Sequence, residues 1–314
     1  MGKVKELLKY VMPPPVRAFN REINALRQLI IEQNTAQMAK IEDLKPKSGG
    51  GGTPEYSELI VSLTSYPPRI NTVYKTIETI LSQTLKADKV ILWLADSEFP
   101  DREKDLPQNL MRLCKEGLQI KWTKDVKSYK KLIPAIKEFP EAIIVTADDD
   151  VYYAPDWLLN LYKAYLKRPG CVHCHRCTYF YLENEKFRWV PGGVKAYKQA
   201  SYLHKLVGIG GVLYPPHSLH MDVLDEAKFC KFAKTNDDIW FWFMAIRNNY
   251  RINVVENNMP KPKYVEGTQD GACLCKINDK GQKLFERDLS QMLKFYPDVE
   301  QKLLTDFACL AESV

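Results

Sequence analysis

The 314-residue sequence has no run of about 18 consecutive apolar residues, so no segment is expected to span a bilayer. Its beginning, MGKVKELLKYVMPPPVRAF, also lacks the apolar block of a signal peptide. A net charge of +6 is small for this length, which disfavours nucleic-acid binding but suits an anionic substrate or a membrane surface. We therefore expect a cytoplasmic protein, with peripheral contact at the inner face of the cell membrane left open.

The eight cysteines are placed in a way that disfavours disulfide bonds. Cys114, Cys230 and Cys309 lie singly in helix-like segments, and no signal peptide directs the chain to an oxidising compartment. We therefore expect free thiols.

The segment CVHCHRC at 171–177 contains five potential zinc ligands, and Cys273 with Cys275 offers a second pair. In a strand, side chains alternate between two faces, which separates Cys174 from the other ligands. A compact tetrahedral site is therefore disfavoured, and a half-buried strand is the preferred interpretation.

Four segments are predicted along the chain: a basic start with an amphipathic helix at 1–45, a flexible linker at 46–56, an α/β domain at 57–290 and a helical segment at 291–314. Residues 20–44 carry a thin apolar stripe opposite charged residues, which fits either a coiled coil with a second chain or a solvated, frayed helix. The glycines of PKSGGGGTP indicate a flexible linker, although an engineered junction would look the same.

From residue 57 the pattern alternates between apolar strands and amphipathic helices. The predicted strands lie at 57–66, 89–95, 118–123 and 141–149, and the predicted helices at 70–85, 101–116 and 128–139, the last one broken near Pro134. This order predicts an α/β fold with a mainly parallel, Rossmann-like sheet flanked by helices. Ligands of such sheets bind beyond the carboxyl ends of the strands.

Three consecutive aspartates, Asp148, Asp149 and Asp150, follow the fourth predicted strand. Their charges repel one another, and aspartate is a poor strand former. A divalent cation such as Mg²⁺ or Mn²⁺ would neutralise them and share oxygen ligands with a bound phosphate. The alternative is an acidic turn before a helix that begins near Asp156, but the position at a strand end favours the metal.

A second acidic pair, Asp237 and Asp238, precedes the apolar run IWFWFMAI. Asn236 or Asp237 would cap a helix there, and negative charge is favoured in the first helical turn. This structural explanation is compatible with a catalytic role for one of the two carboxylates.

Four motifs occur in a fixed order: IVSLTSYPPRI, TADDDVYYAPDWL, GIGGVLYPP at 208–216 and TNDDIWFWFMA at 235–245. Together they resemble a bacterial GT-A-fold, family-two-like glycosyltransferase of the kind that builds surface polysaccharide such as capsule or lipopolysaccharide. The resemblance covers roughly residues 57–285 and implies a GT-A fold, here with an N-terminal helical extension. The first 56 residues have no counterpart in it.

The resemblance implies a metal-bound nucleotide-sugar site. Asp150 is expected to bind Mn²⁺ or Mg²⁺ directly, with Asp148 as the second metal ligand, nearer the ribose. The remaining residues that the resemblance assigns to the donor are Thr64, Ser65 and Tyr66 at the nucleobase, Arg69 near the pyrophosphate, Asp125 at a uracil edge, Asp149, and Gly210 with Gly211.

Lys130 and Lys131 are expected either to approach the donor phosphates or to form a solvated helix face. His175 and Arg176 are expected to point toward the active site. Many enzymes of this fold carry a late histidine as a metal ligand, but all five histidines here lie at or before His220. Asn278 and Asp279 are polar candidates in that late region.

Inverting transfer needs a carboxylate that takes the proton from the acceptor hydroxyl. The resemblance places this base at the second acidic pair, where we favour Asp238 over Asp237. A metal would stabilise the departing diphosphate. Retention of configuration stays open.

The sequence thus predicts a metal-dependent hexosyltransferase that uses a nucleotide-sugar, UDP-linked by preference, and a glycan or lipid-linked glycan as acceptor. No nucleic-acid partner is expected, and a homo-oligomer would form through residues 20–44. A sugar nucleotidyltransferase is disfavoured because the loop after the first strand contains no glycine. A non-catalytic nucleotide- or glycan-binding scaffold with an N-terminal coiled coil is disfavoured because both acidic motifs are present.

Overall fold

The computed structural model describes residues 57–191, 197–256, 259, 261–269 and 284–311. The predicted N-terminal helix at 20–44 and the linker at 46–56 lie outside these residues. All described residues belong to one compact unit, Ser57–Val314. The predicted division of the chain at residues 45, 56 and 290 stays a prediction.

The described strands are, in chain order, β1 (Leu59–Thr64), β2 (Lys89–Ala95), β3 (Leu118–Thr123), β4 (Ile143–Ala147), β5 (Val151–Tyr152), β6 (Cys171–Cys174), β7 (Cys177–Glu183), β8 (Lys186–Pro191), β9 (His204–Leu206), β10 (Val212–Tyr214), β11 (Arg251–Val254) and β12 (Lys263–Tyr264). The described helices are α1 (Val73–Leu81), α2 (Gln108–Leu113), α3 (Ile133–Glu138), α4 (Trp157–Lys167), α5 (Glu226–Phe232), α6 (Asp237–Arg247), α7 (Leu284–Phe295) and α8 (Pro297–Ala311).

A seven-stranded sheet with the order β11-β6-β10-β4-β1-β2-β3 forms the centre of the molecule. The four strands predicted from the sequence, β1 to β4, are parallel to one another. The residues of β1, β2 and β4 are almost all buried. Continuous apolar sequence is typical of parallel strands covered on both faces. The predicted α/β class, with a mainly parallel central sheet flanked by helices, is confirmed.

The other half of the sheet was not predicted. β10 pairs antiparallel with both β4 and β6, and β11 pairs parallel with β6. Two smaller sheets, β8-β7-β9 and β12-β5, lie outside the central one.

Two predicted helices differ from the structure because of proline. The helix expected at 101–116 is divided into short turns and α2, which begins directly after Pro107. Proline restricts the residue before it and lacks the N–H that would continue a helix. Pro134 was expected to end a helix, but it lies in the first turn of α3, where no N–H is needed. A 3₁₀ turn at Lys127–Lys131 precedes it.

The segment 171–177 is not the single strand that alternation predicted. β6 ends at Cys174 in the central sheet, and β7 begins at Cys177 in a different sheet. Between them the backbone of His175 and Arg176 pairs with the 208–211 turn, through Gly211 O and Val207 N–H respectively. The chain therefore leaves the sheet at this point.

Helix α6 lies within the hydrophobic core. Nearly all of its side chains are buried, including Trp240, Phe241, Trp242 and Phe243. This burial fixes the position of the helix N-terminus, where Asp237 and Asp238 lie. Among the described residues, none of the helices is sufficiently long and apolar to cross a membrane.

Candidate active site

The ends of β1 and β4 bring the first acidic motif against the loop that follows β1. The two strands are parallel neighbours with Leu63 opposite Ala147, so the residues that follow them meet at the same edge. Ser65 Oγ donates to Asp149 Oδ2 at 2.6 Å. The strand-end position predicted for the aspartates is thus the one observed.

Arg69 neutralises two of the three aspartates. Its Nη1 lies 2.7 Å from Asp149 Oδ1 and 3.0 Å from Asp150 Oδ2. Burial raises the pKa of Asp149, although Arg69 and Ser65 oppose the shift. Burial and the neighbouring charge of Asp148 raise the pKa of Asp150 to about 6. The buried carboxylates of Asp149 and Asp150 therefore share the guanidinium group of Arg69.

A distant segment, 263–269, closes over Asp150. The backbone N–H of Val265 donates to Asp150 O at 2.8 Å, and Gln269 Nε2 donates to Asp150 Oδ2 at 2.8 Å. Glu266 accepts from Tyr152 OH at 2.9 Å. The sequence analysis missed Gln269 and Glu266, because no local pattern marks residues that reach the site from more than 100 positions away.

Lys131 joins the first acidic motif to the second. Its Nζ lies 3.0 Å from Asp148 Oδ1 and 3.0 Å from Asp237 Oδ2. Burial would lower the pKa of Lys131, but the carboxylates of Asp148, Asp237 and Asp238 raise it well above its ordinary value. Lys131 is therefore a buried ammonium ion among three carboxylates.

Lys130 belongs to a separate group of charges. Its Nζ lies 2.7 Å from Asp125 Oδ1 and 2.9 Å from Glu98 Oε2. Both Lys130 and Lys131 are buried, so the solvated-face alternative is wrong for them. Whether either lysine contacts donor phosphates stays a prediction.

Asp125 lies just past β3, as predicted, and hydrogen bonds use both of its oxygens. Oδ1 accepts from the Lys127 backbone and from Lys130 Nζ, and Oδ2 accepts from Lys127 Nζ. Burial opposes ionisation, but the hydrogen bonds from Lys127 and Lys130 lower the pKa of Asp125. Asp125 therefore stays ionised, and its role at a uracil edge stays a prediction.

Thr64 and Tyr66 flank Ser65 in the loop after β1. Thr64 Oγ1 donates to Trp93 O at 2.8 Å, and the guanidinium carbon of Arg69 lies 5.7 Å from the centre of the Tyr66 ring. The half-buried Tyr66 ring is thus available as a stacking surface near the carboxylates. The predicted nucleobase contact is not tested by these distances.

Asp238 is oriented by a turn at Gly208–Gly210. The backbone N–H of Gly208 donates to Asp238 Oδ2 at 3.0 Å. Burial and the adjacent Asp237 raise the pKa of Asp238 to about 6, while Lys131, Lys205 and the Gly208 N–H oppose the shift. A carboxylate with such a pKa is ionised at neutral pH and is a stronger base than an ordinary aspartate.

Asp237 points toward the same lysine and toward Ser128. Ser128 Oγ donates to Asp237 Oδ1 at 2.8 Å. Asn236 occupies the N-cap position of α6, but its side chain makes no capping hydrogen bond. The acidic pair therefore contacts other parts of the site, and capping does not explain it.

Close packing at 208–211 requires glycine. A Cβ atom on Gly208 would lie 2.8 Å from Asp238 Oδ1 and 2.9 Å from Lys131 Nζ. Gly211 has φ +86°, and a Cβ there would lie 2.4 Å from the Trp157 ring. Gly210 accepts a 2.7 Å hydrogen bond from Trp157 Nε1 through its carbonyl oxygen.

His175 and Arg176 lie beside this turn. His175 Nε2 is 3.0 Å from Trp157 O, and Arg176 Nη1 donates to Met259 O at 2.9 Å. A Cβ on Gly210 would lie 2.8 Å from Arg176 Cγ. The structure thus brings His175, Arg176, Gly210 and Gly211 together, while their contact with donor or acceptor stays a prediction.

The chemistry of the carboxylates fits a hard divalent cation with few protein ligands. The observed contacts of Asp148 with Lys131 use Oδ1, and those of Asp150 with Arg69 and Gln269 use Oδ2. Within the described ranges no group of three or more His, Cys, Asp or Glu residues could bind a metal ion. That Asp148 and Asp150 bind such a cation together with phosphate oxygens of a ligand stays a prediction.

Among the cysteines with described positions, Cys114, Cys171, Cys174 and Cys230 are free thiols. Cys273, Cys275, Asn278 and Asp279 lie outside the described residues.

Comparison with known proteins gives distant likenesses of fold. No protein-family model and no curated protein sequence matches the chain. S. aureus TarS 1–349 is 15% identical with a TM-score of 0.44, over 66% of this chain and 60% of TarS 1–349. The mannosyltransferase PcManGT from Pyrobaculum calidifontis, solved with GDP-Man and Mn²⁺, is 15% identical with a TM-score of 0.42, over 94% of this chain and 85% of its own.

A CMP:2-keto-3-deoxy-manno-octonic acid synthetase in complex with CTP is 13% identical with a TM-score of 0.37, over 65% of this chain and 93% of its own. The present chain spans about 60% of the length of the TarS structure.

Proposed function

We propose that this protein is a glycosyltransferase that moves a sugar from a nucleotide-sugar, UDP-linked by preference, to a hydroxyl group of a glycan or lipid-linked glycan. The observation that carries the proposal is the connection of two acidic motifs through Lys131, which lies 3.0 Å from Asp148 and 3.0 Å from Asp237. One motif provides oxygen ligands for a metal diphosphate, and the other provides a base. Transfer with inversion uses a base on the acceptor hydroxyl, and a metal would stabilise the departing diphosphate.

Asp238 takes the proton from the acceptor hydroxyl in this proposal. The acceptor oxygen forms a bond to the anomeric carbon of the sugar while the bond from that carbon to the diphosphate oxygen breaks. Positive charge develops on the sugar during this exchange, as in glycoside hydrolysis. The raised pKa of Asp238, about 6, and the fixed N–H contact from Gly208 support its assignment over Asp237.

Asp148 and Asp150 would bind a divalent cation, Mn²⁺ or Mg²⁺, which supplies positive charge for the departing diphosphate. Arg69 orients Asp149 and Asp150, and Lys131 orients Asp148. In this mechanism Lys131 is a positioning residue for both carboxylate groups. Tyr66 and Asp125 are proposed to lie at the nucleobase.

The finer parts of the proposal come from the resemblance in the sequence. They are a bacterial surface polysaccharide as product and inversion as the stereochemical course. Peripheral contact with the inner face of the cell membrane is proposed from the basic N-terminal segment. Each basic residue near an anionic lipid surface contributes about 1 kcal/mol, so the basic N-terminal segment would give a weak attachment.

The proposal is tested by calorimetric titration of the protein with UDP and with GDP, each with and without Mn²⁺. We expect UDP to bind in the presence of Mn²⁺ and Asp150→Ala to abolish this binding. Asp156→Ala, which changes an exposed aspartate outside the cluster, is the matched control and should bind UDP normally. Binding of GDP alone would contradict the UDP assignment, and binding of neither nucleotide by the folded protein would contradict the donor site.

A further inference from the structure

A polar cavity lies on the surface between α4 and β11. Its volume is about 200 Å³, and its lining includes Lys163, Lys167, Arg168 and Lys198. Glu256 is the acidic residue of the lining. The volume is large enough for several water molecules or for a small polyatomic anion. None of these side chains takes part in the mechanism proposed above.

The charges around this cavity repel one another. Lys163 and Lys167 are four residues apart on α4, a spacing that places like charges on the same helix face. Lys198 approaches from a different part of the chain, after β8. Within the described part of the chain, Lys167 and Lys198 form no ion pair. A helix C-terminus favours cations in its last turn, which explains Lys167 but not Lys198.

The exposed Arg168 side chain is hydrogen-bonded to Asn253, which in turn contacts the buried His173. Its Nη1 donates to Asn253 Oδ1 at 2.9 Å, and Asn253 Nδ2 lies 3.1 Å from His173 Nδ1. His173 Nε2 in turn lies 3.1 Å from Arg168 O. Both histidine contacts are satisfied together when the ring is neutral and carries its hydrogen on Nε2. One guanidinium group of the lining is therefore preorganised, which lowers the entropy lost when an anion binds.

We propose that this cavity is an anion site that binds a phosphate group. Lysine and arginine around a small cavity are suited to phosphate, because charge-assisted hydrogen bonds to its oxygens would remove their mutual repulsion. The phosphate belongs either to a soluble phosphorylated ligand or to a phospholipid headgroup. The site is distinct from the carboxylate cluster and does not depend on the proposed glycosyl transfer.

The test measures the binding of inorganic phosphate by calorimetry, and of vesicles by flotation. The vesicles contain phosphatidylglycerol with phosphatidylcholine, and pure phosphatidylcholine vesicles are the neutral reference. The double variant Lys167→Gln/Lys198→Gln should weaken binding about tenfold or more, because two charge-assisted contacts are lost. Glu256→Gln should strengthen it, because a repelling carboxylate is removed. Lys115→Gln changes an exposed lysine elsewhere and should have no effect.

The two sources of phosphate give different results. Binding of inorganic phosphate that depends on Lys167 and Lys198 supports a soluble ligand. Binding to phosphatidylglycerol vesicles with the same dependence, without measurable binding of inorganic phosphate, supports a headgroup. If neither probe binds, or if binding is unchanged in the double variant and in Glu256→Gln, the proposal is wrong. Thermal unfolding of each variant checks that the fold is kept.

Discussion

At the scale of single residues, the site depends on a buried ammonium ion. Lys131 contacts Asp148 and Asp237 at 3.0 Å each and also lowers the pKa of Asp238. Removing one partner of a buried ion pair leaves an uncompensated charge, which costs more than the pair contributes. Lys131 is therefore important both for stability and for the basicity of Asp238.

Lys131→Met is expected to destabilise the protein by about 3–5 kcal/mol, because three carboxylates lose their shared cation. The pKa of Asp238 should rise further in this variant, so the pH at which the rate is half-maximal should move upward. Thermal unfolding and a pH–rate profile measure the two effects.

Lys130→Met is the matched control, since Lys130 is also buried but pairs with Glu98 and Asp125. It should lower stability without moving the pH profile. If Lys131→Met and Lys130→Met have the same pH–rate profile, Lys131 does not specifically lower the pKa of Asp238.

Asp238 also makes stability depend on pH. Its pKa is raised from 3.8 to about 6 in the folded protein, mainly by burial, so folding favours the protonated form. The wild type should lose this stabilising contribution as the pH rises from about 4 to about 6. Asp238→Asn removes the titrating group and should be more stable than the wild type at pH 7.5, by on the order of 1 kcal/mol or about 2–4 °C.

The difference between Asp238→Asn and the wild type should disappear below about pH 4, where the wild-type carboxyl group is protonated in both states. Unfolding temperatures measured from pH 3.5 to 8 test this dependence. A constant difference across that range would contradict the raised pKa.

At the scale of elements, the turn at Gly208–Gly210 joins the end of β9 to the start of β10 and orients the base. A methyl group on Gly208 would meet Asp238 Oδ1 and Lys131 Nζ at less than 3 Å, so one of them must move. Gly208→Ala should lower kcat by about tenfold or more, since small displacements of a catalytic group are costly.

Gly170→Ala is the control for that substitution, because no atom lies within 4 Å of its added Cβ. It should leave the rate unchanged. Full activity in Gly208→Ala, with the fold kept, would exclude a role for the turn in orienting Asp238.

The elements differed in how well the sequence predicted them. β1, β2 and β4 are runs of mostly buried residues, and β3 alternates apolar and polar residues with only Leu118 buried. Both patterns are local in the sequence. β10 has three residues and β6 has four, which is too short for a periodic signal. Their place in the sheet depends on contacts with distant strands.

At the scale of the whole molecule, the sequence located the acidic motifs but not their connection. The positions of Asp148 at a strand end and of Asp238 at a helix start could be predicted, because each lies beside a strongly patterned element. Their roles came from the resemblance and stay predictions. Glu98, Ser128 and Gln269 could not, because they contact the site across separations of 32, 109 and 119 residues. The spacing of residues along the sequence does not indicate contacts between such distant positions.

The burial of Lys130 and Lys131 was missed for a related reason. A pair of lysines beside a short helix normally indicates a solvated surface. Here the carboxylates that pair with them come from four other parts of the chain, at Glu98, Asp125, Asp148 and Asp237. Only the folded structure shows that these charges compensate one another.

The central claim is that this protein transfers a sugar from a nucleotide donor and that Asp238 is the base. The most direct test measures the release of nucleoside diphosphate from a panel of UDP- and GDP-sugars with Mn²⁺, in the presence of oligosaccharide and lipid-linked acceptors. We predict release from a UDP-sugar by the wild type and a decrease of about 10²–10⁴-fold in Asp238→Asn, which should still bind the donor. Equal release by the wild type and Asp238→Asn, or no release from any donor by the folded wild type, would contradict the claim.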